Sequence, residues 1–124
     1  MHKIKIRLQE IELGTQDPEK SKAFYNSILG LEAIVDQDNL KVFNSGIAGI
    51  DFNTSTHLPT KIIATSFLTD NLQAVIDRLT ANGISFDGPK KSHLGMITIE
   101  FKDPDGYIIK VNEASNTSPS WLQM

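Results

Sequence analysis

The chain has 124 residues, 12 basic and 15 acidic, for a formal net charge of −3. Its 40% hydrophobic and 22% charged content is that of one ordinary domain able to bury a core without staples. With no cysteine, a disulfide framework, a CxxC pair, a thiolate zinc site and a cysteine nucleophile are excluded, and the acidic balance with scattered positive side chains argues against nucleic acid as a partner.

The opening run Met1-His2-Lys3-Ile4-Lys5-Ile6-Arg7 alternates charge with aliphatic residues instead of forming an apolar leader, and nothing later approaches a membrane span. A cytoplasmic protein is expected. Ile4, Ile6 and Leu8, then Ile11 and Leu13 after a change of phase, predict a strand over 4–13. Asp17 is placed to cap a helix, with Pro18 at its first position and Glu19 in its first turn; Phe24 and Ile28 share a face, and Gly30 is the stop. Leu31–Val35, Leu40–Phe43 and Ile47–Phe52 read as a three-strand meander, followed by a polar bridge, Asn53–Thr60.

The second half repeats the order. A strand over Lys61–Leu68 leads to Asp70 and Gln73 in a capping-box arrangement, and Leu72, Val75, Ile76 and Leu79 form an amphipathic stripe ended by Asn82-Gly83. Strands Ile84–Phe86, Gly95–Phe101 and Tyr107–Asn112 follow, the last two joined by the turn Asp103-Pro104-Asp105-Gly106. Aligned helix starts lie 54 residues apart (17 to 71) and helix stops 53 apart (30 to 83), so the βαβββ order is a duplicated module. The boundaries are 1–54 and 61–114 within one domain, 1–114, and residues 115–124 read as a flexible tail.

Asp17-Pro18-Glu19-Lys20-Ser21-Lys22-Ala23-Phe24-Tyr25 running into Leu29-Gly30-Leu31-Glu32, with Phe101-Lys102-Asp103-Pro104-Asp105-Gly106 before the last strand, resembles the glyoxalase, bleomycin-resistance and extradiol-dioxygenase group, the vicinal oxygen chelate superfamily. The resemblance covers nearly the whole chain. It implies an α+β fold of two tandem βαβββ modules, each a curved mixed sheet with an outer helix, forming a half-open barrel around a small-molecule cavity. It also implies a homodimer.

Metal-dependent members of that group place histidine and glutamate ligands on the first and fourth strand of each module. The positions that correspond here are Glu10, Ala64, Lys110, and either Ile50 or Asp51. Ala64 has no donor atom and an ammonium at Lys110 repels a dication, so no metal site and no cofactor are expected. Strand phase sends Glu10, Glu12, Ala64 and Ser66 to the face opposite the helices, together with Ile108, Lys110, Asn112, Thr98 and Glu100. One reading has Lys110 replace the charge of a metal with Glu10 balancing it, as candidate catalytic groups. The other is a solvated cross-strand pair worth about 1 kcal/mol or less.

None of the histidines occupies a ligand position. His2 and His57 read as solvated, whereas His93 precedes a loop that borders the cavity in the related proteins and is a candidate rim contact. Phe52 and Met96 read as packing or cavity lining, and Tyr25 as a cap on the core edge. No phosphate-binding glycine loop, GxSxG elbow or HExxH pair is present. Two functions fit. The first is metal-independent binding of a small cationic or aromatic molecule, the acidic Glu10, Glu12 and Glu100 favouring a cationic one. The second is a lyase, isomerase or dioxygenase of the related type, with Glu10 and Asp51 among unusual donors or with Glu10 as general base.

Overall fold

A computed structural model describes residues 4–124, which leaves His2 outside the described residues. Its elements follow the βαβββ order twice: β1 (Ile6–Gly14), α1 (Pro18–Lys22), β2 (Ala33–Gln37), β3 (Leu40–Asn44) and β4 (Asp51–Ser55), then β5 (Ile63–Thr69), α2 (Leu72–Ala81), β6 (Asp87–Lys91), β7 (Ile97–Lys102) and β8 (Ile108–Glu113). The α+β class and the duplication expected from the sequence are both present. The chain divides into two compact units, one spanning Gln9–Thr65 and the other joining Ser66–Met124 to the described residues up to Leu8.

In the unit Gln9–Thr65 the strand order is β2-β3-β4-β1, with β1 parallel to β4 and the remaining pairs antiparallel. Asp17 caps α1 by accepting from the Lys20 amide at 3.1 Å, with Pro18 in the first turn. The helix continues as a π-helical turn, Ala23–Ile28, in which the Leu29 amide reaches back to the Phe24 carbonyl at 3.1 Å. That wider turn leaves Phe24 and Ile28 on the outside, 47% and 72% exposed, so they are not the core face that their spacing suggested. Tyr25 takes the inner position. Its ring lies 5.5 Å from that of Phe43 and 5.0 Å from that of Phe52. Aromatic packing of this kind supplies the seam between helix and sheet.

Several strand limits also move. The meander's third strand begins at Asp51, because Ile47, 62% exposed, lies in a loop, and the polar residues Asn53, Thr54 and Ser55 are buried strand rather than bridge. The residues 84–86 precede β6 instead of forming it; β6 runs through Gly88-Pro89 with an irregular register against β7.

In the other unit the order is β5-β8-β7-β6. Asn71, not Asp70, caps α2, accepting from the Ala74 amide at 3.0 Å. Asp70 instead accepts from the Lys5 amide at 3.0 Å. The stripe Leu72, Val75, Ile76 and Leu79 packs as expected, against Phe67, Ile97, Ile99, Phe101, Ile109 and Val111. Each fully buried aliphatic side chain there contributes roughly 2 kcal/mol. Both helices end at glycines with φ near the left-handed region, +80° at Gly30 and +69° at Gly83, where a Cβ would be strained.

After β8, residues Ser120–Leu122 form a 3₁₀ turn. Leu122 is 1% exposed and packs with Leu68, Met96 and Ala114, while Gln123 donates to the Ser115 and Ser118 carbonyls.

Candidate functional site

Strand alternation builds one polar face in each unit. In the unit Gln9–Thr65, Tyr25, Phe43 and Phe52 occupy the helix side, and the opposite parity carries Glu10, Glu12, Asp51, Asn53 and Ser55. Phe52 is therefore not on the face that Glu10 uses, and of the two expectations, packing or cavity lining for a ligand, its contacts with Tyr25 and Phe43 are packing. The register pairs Glu10 with Asp51 and Glu12 with Asn53, which also decides between Ile50 and Asp51 in favour of the carboxylate.

Glu10 and Glu12 are 3% and 4% exposed. Burying a carboxylate is costly unless hydrogen bonds replace its water. The Asn53 side-chain amide supplies one, donating from Nδ2 to Glu10 Oε2 at 2.8 Å, and the Ser55 hydroxyl supplies another to Glu12 Oε2. His57 is half-exposed but not merely solvated: its Nδ1 lies 3.8 Å from Glu12 Oε2. Asn53, Ser55 and His57 lie in the stretch that the sequence presents as a polar bridge. The continued alternation Asp51, Asn53, Ser55 is the signal that could have extended the strand through them.

In the other unit, Ile109 and Val111 face α2, so Ile108, Lys110 and Asn112 take the opposite side. Across β7 and β8, Lys110 is the register partner of Glu100, and Asn112 of Thr98. Lys110 thus has a carboxylate-bearing neighbour within its own module. Directly opposed unlike charges of this kind stabilise an antiparallel pair modestly. Ser66, Thr98 and Asn112 are all buried. Ala64 is fully buried and offers only a methyl group. His93 stands in an exposed turn with Nδ1 3.2 Å from the Ser92 hydroxyl.

The residues present do not fit the divalent-metal ligand set that the resemblance implies. Of the corresponding positions, Glu10 and Asp51 carry oxygen donors, Ala64 carries none and Lys110 carries a cation. Among the described residues no three histidine, aspartate or glutamate side chains come close enough together to hold a metal ion. No helix among them is long and apolar enough to cross a membrane.

The likeness to known proteins agrees with this architecture. Solved structures resemble the chain at low identity. One is a glyoxalase/bleomycin resistance protein/dioxygenase superfamily member from Vibrio splendidus 12B01, with 17% identity and a TM-score of 0.66, over 88% of this chain and 99% of that one. Homoprotocatechuate 2,3-dioxygenase from Arthrobacter globiformis gives 17% identity and a TM-score of 0.69, over 88% of this chain but 36% of the dioxygenase. A Mn(II)-bound glyoxalase from Novosphingobium aromaticivorans gives 18% identity and a TM-score of 0.65, over 91% of this chain and 41% of the glyoxalase. No curated protein matches. The family model of the Glyoxalase/Bleomycin resistance protein/Dioxygenase superfamily matches residues 7–111, and with two βαβββ passes in that span, the chain belongs to this superfamily.

Proposed function

We propose that the chain is a metal-independent binding protein for a small molecule, of the glyoxalase/bleomycin-resistance type. The observation that carries this reading is the composition of the metal positions, where Ala64 removes a donor and Lys110 replaces an anion with a cation. A dication would meet repulsion at Lys110 instead of a ligand. Glu10 and Glu12, buried and held by Asn53 and Ser55, favour a cationic guest electrostatically. We further propose that the protein is cytoplasmic and acts as a homodimer.

A second reading is favoured by one relationship, the register pairing of Glu10 with Asp51, which sets two carboxylates side by side. In that reading the protein is an enzyme, with the two carboxylates as oxygen donors to a metal or with Glu10 as a general base. Elemental mass spectrometry on untagged protein, after loading with Ni, Zn, Mn or Fe and dialysis, separates the two. Absence of retained metal together with ligand-induced thermal stabilisation supports the binding protein, and a stoichiometric metal lost in Glu10→Gln overturns it. Light scattering behind size exclusion tests the dimer; a monomer at micromolar concentration removes it.

A further inference from the structure

We propose that Asn82 is a site of spontaneous covalent modification, converted to aspartate and isoaspartate through attack by the Gly83 amide, and that opening of the C-terminal end of α2 sets the rate.

Asn82-Gly83 is the only Asn-Gly pair in the chain. The backbone nitrogen that follows an asparagine can attack its side-chain Cγ, and glycine, with no Cβ, leaves that nitrogen unhindered. The new N–Cγ bond closes a succinimide ring, and the side-chain nitrogen leaves as ammonia, taking the Gly83 N–H proton. Water then opens the ring. Breaking the N–Cγ bond gives aspartate, and breaking the original peptide C–N bond gives isoaspartate, in which the main chain runs through the side-chain carbons. Nothing is oxidised or reduced. Both residues are exposed, and a Cβ built at Gly83 would meet nothing within 4 Å, so neighbouring atoms exclude neither the ring nor water.

The folded helix end restrains each participant. The leaving amide donates from Asn82 Nδ2 to the Arg78 carbonyl at 2.8 Å, and the attacking Gly83 nitrogen donates to the Thr80 carbonyl at 3.1 Å. The Ile84 amide donates to the Leu79 carbonyl at 2.9 Å and completes the helix stop. Asn82 is held at ψ 8°, whereas ring closure requires rotation about that bond to bring the Gly83 nitrogen over Cγ. The last turn must therefore open first, and helix ends are among the parts of a fold that open most readily.

The product does not reseal in the same way. A carboxylate at residue 82 has no N–H for the Arg78 carbonyl, and it adds negative charge where the last carbonyls of α2 already present it. Isoaspartate also lengthens the main chain by one carbon, which displaces Gly83 and Ile84 from their acceptors. Each conversion leaves the end of α2 looser than before.

The experiment follows the full chain at neutral pH in buffer alone, in urea below the unfolding transition, and in urea that unfolds it. Trypsin cleavage after Arg78 and Lys90 places the pair in one peptide, in which chromatography with mass spectrometry separates the asparagine, aspartate and isoaspartate forms. The native chain is expected to convert at about a tenth of the unfolded rate or slower, with the rate rising in urea below the transition, and Asn82→Gln is expected to remove the products. Asn82→Asp should melt below wild type and lose amide-exchange protection at Gly83 and Ile84. Should that variant fail to fold, the wild-type rates still decide. Equal rates in the native and unfolded chains overturn control by the helix end. An Asn82 that stays intact in the native chain after the unfolded chain has converted overturns the site itself. A native rate that ignores urea until global unfolding overturns the local opening on which the inference depends.

Discussion

Lys41 and Asp36 face each other in the register of the β2–β3 hairpin, and the buried ammonium of Lys41 meets Asp36 Oδ1 at 2.5 Å. The same nitrogen lies 2.8 Å from Glu19 Oε1 on α1, and Lys22 closes on the other oxygen of Asp36. Four charges thus fasten the first helix to its sheet. Hydrogen bonds from Lys22, then Lys41, hold the Asp36 carboxyl below its ordinary 3.8, and Asp36, then Glu19, hold the Lys41 ammonium above its ordinary 10.5.

The signs give a pH prediction. A carboxyl with a lowered folded value contributes its full stabilisation above the ordinary 3.8 and loses it as pH falls through the lower folded value. Asp36→Asn should therefore melt several degrees below wild type at neutral pH, with the gap closing in acid. At the alkaline end the Lys41 contribution persists through 10.5 and fades only beyond it. Thermal melts across pH check both limits, and a gap between Asp36→Asn and wild type that does not narrow in acid would remove the network from the account.

Gly14 is required for closeness. A Cβ built there would lie 1.8 Å from the Pro59 carbonyl oxygen, a backbone atom that cannot swing aside. Gly14→Ala should cost about 3 kcal/mol or more, whereas Gly46→Ala, whose Cβ meets nothing, should cost less despite its positive φ. Urea denaturation of the two variants provides the ranking, and equal midpoints would contradict it.

Leu122 gives the C-terminal residues a measurable anchor. Leu122→Ala deletes a side chain that is 1% exposed and packed on Leu68 and Met96, and should destabilise by about 2–4 kcal/mol. Trp121, half-exposed beside it, is the single tryptophan and a convenient reporter. Its emission should move to the red in the variant before the rest of the chain unfolds; coincidence of the two transitions would show that the anchor has no local role.

The α2 N-terminus receives a carboxylate from β8, with the Leu72 amide donating to Glu113 Oε1 at 2.7 Å. An anion there meets both an unsatisfied N–H and the positive end of the helix. Glu113→Ala should lower stability by about 1 kcal/mol, and Glu113→Gln, which keeps an acceptor, by less. A chemical-denaturation series with the two variants reversed in order would refute the cap.

Much of the fold was legible in local chemistry. Asp17-Pro18 and the stops Gly30 and Gly83 mark helix ends through backbone constraints that act within a few residues, and the α2 stripe follows from helical period alone. What escaped was set at a distance or by a change of period. The π-turn at Ala23–Ile28 re-aims Phe24 and Ile28, and no i, i+4 rule anticipates it. Asp70 was drawn away from α2 by Lys5, a partner 65 residues earlier. At the candidate site, parity placed Glu10, Glu12, Lys110 and Asn112 correctly relative to the helices. Register was needed to find that Asn53 serves Glu10 and that Glu100 stands across from Lys110.

The division of the chain also bears on its synthesis. Gln9–Thr65 is one continuous stretch, so all of that unit is synthesised before α2. Lys5 belongs to the other unit, and its carbonyl accepts from the Thr69 hydroxyl and the Asp70 amide, groups translated more than sixty residues later. Lys5 thus waits for partners made long after it, while the continuous stretch Gln9–Thr65 is free to order first.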